Sequence, residues 1–190
     1  TPYRHIKNLL EEKPAAAYTT ENRIYYPNLQ GFIAKDARTG LELAAKGGHN
    51  AESHNHNDVG NIVLFRGEEP IFIDGGVGTY TKTTFSDKRY TLWTMRSVYH
   101  NLPVIGGVEE RAGREFAAAD PTYDNDRISY ALTHAYPTEA GITSYRRTSY
   151  LTDNGAAVVD TLALTEDKTV SWHWMIVDVP QIDGNTLYFP

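Results

Sequence analysis

The 190-residue chain contains no cysteine, which excludes disulfides and thiolate metal sites and fits cytosol and periplasm equally. It also lacks a long apolar run: no window approaches the roughly 20 apolar residues that a membrane-spanning helix needs. Positive charge is in deficit, with 18 Lys and Arg against 24 Asp and Glu for a formal charge of -6. A general nucleic-acid binder would need a basic face to neutralise phosphates. Neither a membrane span nor a nucleic-acid partner is expected. Internal repeats and low-complexity segments are missing too.

What is present favours one sheet-rich domain. At 41% hydrophobic residues the chain can bury one substantial core. Its 13 tyrosines and 12% aromatic share suit a pleated, half-buried surface. Helical spacing occurs at the start, where Ile6, Leu9 and Leu10 recur through Lys13 until Pro14 stops the helix. Residues 1–21 therefore read as the end of a helical region and a linker, and 22–190 as a β domain. Strands are expected at 23–26, 31–35, 41–45, 61–65, 71–74, 98–105, 127–133, 143–151, 156–164 and 170–177. Arg66 to Glu69 reads as a four-residue hairpin loop, and Asp153-Asn154-Gly155 as a tight turn with positive backbone dihedrals. Short strands between turn signals imply a sandwich or barrel. The chain opens on Thr1 and closes on the apolar run Leu187 to Pro190, so the expectation is an excerpt of a longer protein.

Seven histidines occur, of which His5, His134 and His173 read as surface or hydrogen-bonded core residues. His54 and His56, in "SHNHNDVGN" (Ser53 to Asn61), stand directly before the apolar run Ile62 to Phe65. On an extended chain residues i and i+2 share a face, so a strand would offer both imidazoles to one object: a metal, a substrate, or one of each. Asp74 closes "IFID" ahead of Gly75-Gly76, and His100 lies in "SVYHNLPVIGG" among apolar strand residues. Two imidazoles and a carboxylate with an open fourth position suit Zn²⁺; the alternative is separately hydrogen-bonded polar residues.

A regular hairpin would not assemble such a site. With Phe65 opposite Pro70 and Asn61 opposite Asp74, His56 would stand roughly 16 Å further along at strand rise. The segment Asn57 to Gly60 must bulge or fold back. Lys82, Lys88, Arg89 and Arg96 share a fifteen-residue window with one acid, Asp87, and read as a solvated basic stretch or a local anion site.

From Gly47 to Gly107 the chain combines an H-x-H-x-D strand entry, a D-x-G-x-x-x-Y segment and a W-T-x-x-S-x-x-H-N run, in that order. This combination resembles the heparinase II/III-like polysaccharide lyases and is far more specific than any of its pieces. The flanking chain, Asn22 to about Val177, resembles that family's C-terminal antiparallel β-sandwich (supersandwich-like), which follows an α/α toroid absent here. The resemblance implies one structural zinc held by His56, Asp74 and His100, with His54 facing the cleft as a catalytic or substrate-contacting residue. It also implies a sugar-facing tyrosine, for which Tyr80 and Tyr90 compete. Arg96, Arg89 and Lys82 become candidate substrate contacts, although Arg96 has an internal ion pair as its alternative.

The implied reaction is β-elimination on a uronic-acid-containing, glycosaminoglycan-like polysaccharide by a periplasmic or secreted bacterial enzyme. The toroid supplies the remaining groups, the isolated chain is expected to be inactive, and a homodimer is left open. Two rivals remain. A cupin would want a glutamate where Gly60 and Asn61 stand, and a non-catalytic carbohydrate-binding sandwich would use Trp93, Trp172 and Trp174 as stacking platforms.

Overall fold

Alternation of side chains sets the facing of each strand. The computed structural model describes residues 22–188; the expected N-terminal helix, most of its linker and His5 lie outside the described residues. β1 (Arg23–Tyr26), β2 (Gly31–Asp36) and β3 (Leu41–Lys46) form a meander. On β2, Phe32 and Ala34 point inward; on β3, Leu41, Leu43 and Ala45 do so, alternating with Glu42, Ala44 and Lys46. The short β4 (His49–Asn50) leads into a loop, and β5 (Ile62–Arg66) and β6 (Glu69–Phe72) complete a five-stranded antiparallel sheet in the order β1-β2-β3-β5-β6.

After a long irregular segment come β7 (Pro103–Ile105), β8 (Gly113–Ala117), β9 (Ala119–Asp124), β10 (Arg127–Ala131), β11 (Ile142–Leu151) and β12 (Ala156–Leu164). The last four make a second antiparallel sheet. β11 packs across β2 and β3, so Ile128, Tyr130 and Tyr145 meet Phe32, Leu43 and Ile62 in one core. Burying an aliphatic or aromatic side chain of this size contributes about 1.5–3 kcal/mol. β13 (Val170–Trp172) pairs with β7, β4 with β8, and β14 (Gln181–Asp183) with β15 (Thr186–Tyr188). The architecture is the all-β sandwich expected from the sequence.

Several local expectations are corrected. Arg66 pairs with Glu69, so the turn is only Gly67-Glu68, with Gly67 at φ +60°. None of Asp153, Asn154 and Gly155 has positive φ. Thr152 N donates to Gly155 O at 2.8 Å and Leu151 pairs with Ala156, a four-residue loop that needs no left-handed residue. The strand expected over 98–105 is confined to β7, because Ser97–Tyr99 closes a 3-10 turn through His100 N donating to Ser97 O (3.0 Å). The strand expected over 71–74 ends at Phe72, and that over 170–177 ends at Trp172.

Candidate functional site

Two irregular segments of the first sheet carry the candidate residues: Ala51 to Asn61, between β4 and β5, and Ile73 to Leu102, between β6 and β7. The first folds back as anticipated, with Asn61 N donating to Asp58 O (3.0 Å) and Gly60 N to Lys46 O (2.8 Å). Gly60 is required there. Its φ is +88°, and a Cβ would lie 2.6 Å from Leu132 Cδ1. The second segment runs through four 3-10 turns between Thr83 and Tyr99. It is tied to the first by Asn57 N donating to Met95 O (3.0 Å).

His54 and His56 do not share a face. His54 adopts φ +59°, which breaks the extended conformation on which the i, i+2 reading depends. Its ring is exposed and meets Tyr80, with 3.4 Å between Nδ1 and the Tyr80 hydroxyl. His56 is buried instead, its ring centroid 5.4 Å from that of His100.

One ligand atom each from His56, Asp74 and His100 can be chosen so that all lie within 4.8 Å of one another. Ligands about 2.0–2.2 Å from a tetrahedral ion stand roughly 3.3–3.6 Å apart, so a small inward shift suffices. Asp74 Oδ2 lies 2.9 Å from His100 Nδ1 and accepts from Asn61 Nδ2 at 2.8 Å, while Oδ1 accepts from Gly76 N at 2.8 Å. The second His100 nitrogen, Nε2, is buried with no hydrogen-bond partner. With Nδ1 protonated and donating to Asp74, Nε2 would carry the lone pair that a cation takes. Electrostatics agree with that chemistry. Burial is the largest influence on His56 and holds its pKa below the ordinary imidazole value, favouring the neutral, ligating form. Burial alone would raise Asp74, but the His100 hydrogen bond, the Gly76 N–H and both imidazoles together hold it below the usual carboxylate value.

At the surface, an open groove of about 460 Å³ is lined by His54, Asn55, Arg89 and Tyr90, among others. Tyr80 is 46% exposed and packs against Phe85 as well as His54. The Tyr90 hydroxyl accepts from Asn55 Nδ2 at 3.2 Å. Arg89 spends Nε on Asn55 O (2.9 Å) and Nη1 on Thr84 O (2.8 Å), so it also splices the two segments. Arg96 pairs with Glu109 and lies over the Tyr99 ring. Lys82 and Lys88 are exposed. Trp93 and Trp172 are 53% and 45% exposed, whereas Trp174 packs into the core against Phe72.

The polar residues that hold this arrangement were not singled out from sequence. Asn101 is fully buried; its Nδ2 donates to Ile62 O (2.7 Å) and Ile73 O (2.9 Å), and its Oδ1 accepts from Met175 N (2.8 Å). Glu110 Oε2 accepts from Asn50 Nδ2 and Val59 N, both at 3.0 Å, and Oε1 is buried without a partner. Burial pushes its carboxyl up to about 8 despite those donors. Arg147 and Asp160 form a buried, bidentate pair with both contacts at 2.8 Å. The available signal was strand parity, which puts Arg147 on the inward face with Tyr145 and Ser149.

The profile of the family described as "Heparinase II/III-like, C-terminal" matches residues 31–186. No curated protein matches the chain. Among solved structures, the heparan sulfate lyase HepC mutant from Pedobacter heparinus superposes with a TM-score of 0.65 at 14% identity, covering 95% of this chain and 28% of that one. The "Heparinase III-BT4657 gene product" superposes with a TM-score of 0.61 at 13% identity, covering 92% of this chain and 27% of that one. Identities this low establish a shared fold, and the chain spans little more than a quarter of those proteins.

Proposed function

The chain belongs to the heparinase II/III-like C-terminal family, and from that membership we propose that it is the β-sandwich part of a longer polysaccharide lyase. Its substrate is a uronic-acid-containing, glycosaminoglycan-like acidic polysaccharide, cleaved by β-elimination. One observation carries the reading: two buried imidazoles and a half-buried carboxylate able to hold a metal, together with an exposed histidine–tyrosine contact, stand at the positions of the family motif.

Elimination takes the proton from C5, next to the uronate carboxylate, breaks the C4–O bond and protonates the departing oxygen, leaving a 4,5-unsaturated uronate. His54 and Tyr80 are in contact and accessible, and they divide these two proton transfers as base and acid. Tyr90, on the same groove, is the alternative tyrosine. The charge that develops on the carboxylate needs fixed donors. Exposed Lys82 and groove-lining Arg89 supply them, with Arg96, which pairs with Glu109 and lines a neighbouring hollow together with Tyr90, as a third. The remaining donors come from the helical toroid of the same protein. His56, Asp74 and His100 would hold one Zn²⁺, which supplies a structural crosslink between the segments bearing His54 and Tyr80. The setting is a periplasmic or secreted bacterial enzyme.

Metal analysis after purification without chelator is expected to give one zinc per chain, lost in His56→Ala. Substoichiometric zinc that this substitution leaves unchanged removes the metal centre. In the full-length lyase, His54→Ala and Tyr80→Phe are each expected to lower formation of unsaturated uronate by about 10²–10⁴-fold. Robust product from the 190-residue chain alone would refute the division of labour. The exposed indoles of Trp93 and Trp172 favour one second reading, a non-catalytic carbohydrate-binding module; full-length protein that binds the polysaccharide without eliminating it would establish that instead.

A further inference from the structure

Arg147 occupies a core-facing position of β11 and is 1% exposed. Asp160 stands directly opposite it on β12. The carboxylate receives Arg147 Nε and Nη2 at 2.8 Å each, the Tyr145 hydroxyl at 3.1 Å and Trp172 Nε1 at 2.8 Å. Such a pair is a poor device for stability, since desolvating two charges offsets most of their attraction, and apolar residues of the same volume commonly do as well. What apolar residues cannot do is donate hydrogen bonds.

The rest of the guanidinium is aimed at the candidate site. Arg147 Nη1 donates to Gly60 O at 3.1 Å and to Asn101 O at 2.6 Å. Gly60 closes the loop that carries His56, and Asn101 follows His100 in the chain. From Asn101 the network continues: its N donates to Asn61 Oδ1 (3.1 Å), Asn61 Nδ2 donates to Asp74 Oδ2 (2.8 Å), and Asn101 Nδ2 donates to the carbonyl of Ile73 (2.9 Å). One side chain of the opposite sheet, acting with Asn101, thus ties together the stretches that bear His56, Asp74 and His100.

We propose that Arg147, fixed by Asp160, is a positioning residue for the His56–Asp74–His100 donor set, holding its segments in register through the carbonyls of Gly60 and Asn101. Its metal-affinity readout rests on the zinc reading above; its metal-free readout does not.

The test uses the 190-residue chain with Arg147→Met/Asp160→Leu, which removes both buried charges together. Expected are cooperative unfolding in chelator at a midpoint below that of wild type, since the carbonyls of Gly60 and Asn101 lose their donor, zinc binding weakened 10–100-fold in competition with a chromophoric chelator, and a changed visible spectrum of bound Co²⁺. Tyr145→Phe removes a hydrogen bond to Asp160 without touching either carbonyl and is expected to leave zinc affinity within twofold of wild type. A folded double variant with wild-type affinity and cobalt spectrum overturns the proposal, as does an equal loss of affinity in Tyr145→Phe. If the wild-type chain takes up no zinc, the metal reading fails separately, and imidazole ¹H–¹⁵N spectra of metal-free protein decide: unchanged His56 and His100 signals in the double variant overturn the proposal, and shifted or broadened ones uphold it. Should the double variant not fold, Arg147→Lys is put through the same measurements. If that also fails to fold, Arg147 is a folding residue and the proposal is overturned.

Discussion

Between β11 and β12, nine cross-strand partners run from Ile142 and Leu164 to Leu151 and Ala156 with a single register shift. From Ile73 to Leu102 there is no strand, and 3-10 turns follow one another. The first region is specified many times over, since each ladder bond and inward side chain repeats the instruction of its neighbours. The second depends on a few polar side chains, each with several partners: Asn101, Arg89, Glu110 and Arg147. Redundant weak contacts tolerate loss, whereas singular strong ones transmit it, and the candidate site lies in the second region.

Four measurements put this contrast at risk. Asn101→Ala leaves the buried Ile62 O and the half-buried Ile73 O and Met175 N without this partner. It is expected to cost upwards of 3 kcal/mol, at about 1–3 kcal/mol for each unsatisfied group, and to weaken zinc uptake as well; denaturant unfolding and metal titration read the two effects. Leu43→Ala, at a position 1% exposed in the sandwich core, should cost a comparable ~3 kcal/mol through lost transfer energy and a cavity, yet leave zinc uptake unchanged. Loss of uptake there would show that the two regions are not separable.

The third measurement is pH-dependent. Glu110 has a folded pKa raised by burial from 4.5 to about 8. Its contribution to stability is therefore fully present below the unfolded value and is lost as pH rises through the folded one. Between those limits the unfolded chain releases a proton that the native one retains, a slope of up to about 1.4 kcal/mol per pH unit. Glu110→Gln should flatten chemical-denaturation midpoints across that window. The smallest effect is expected from Lys35→Ala. The Lys35–Glu42 contact is 2.6 Å, but the side chains are 40% and 44% exposed, so thermal unfolding should register less than about 0.5 kcal/mol.

Legibility follows the same division. The strand "LELAAK" was readable because period-two burial is a local rule, and the place of the turn between Leu151 and Ala156 because its residue types are a local signal, although its backbone type was not. The motif brought His56, Asp74 and His100 to attention, and spacing alone showed that the chain between His56 and the strand had to fold back. The shared-face reading of His54 and His56 failed because one left-handed residue undoes a rule that presumes extension. The 3-10 turns from Thr83 to Tyr99 were missed because no side chain caps them, so residue type gives no start or stop signal. Arg147 and Glu110 act on groups 46–87 and 51–60 positions away in the chain, distances at which no local pattern speaks.

Gly60, left-handed and pressed against Leu132, has a practical consequence for diversifying the groove. Any other amino acid at this joint would have to push the loop off the sheet behind it and turn its carbonyl away from Arg147. Randomising Ala51 to Ser53, which are solvent-facing, while sparing Gly60, would vary the surface an incoming polymer meets and leave the deeper donors where they are.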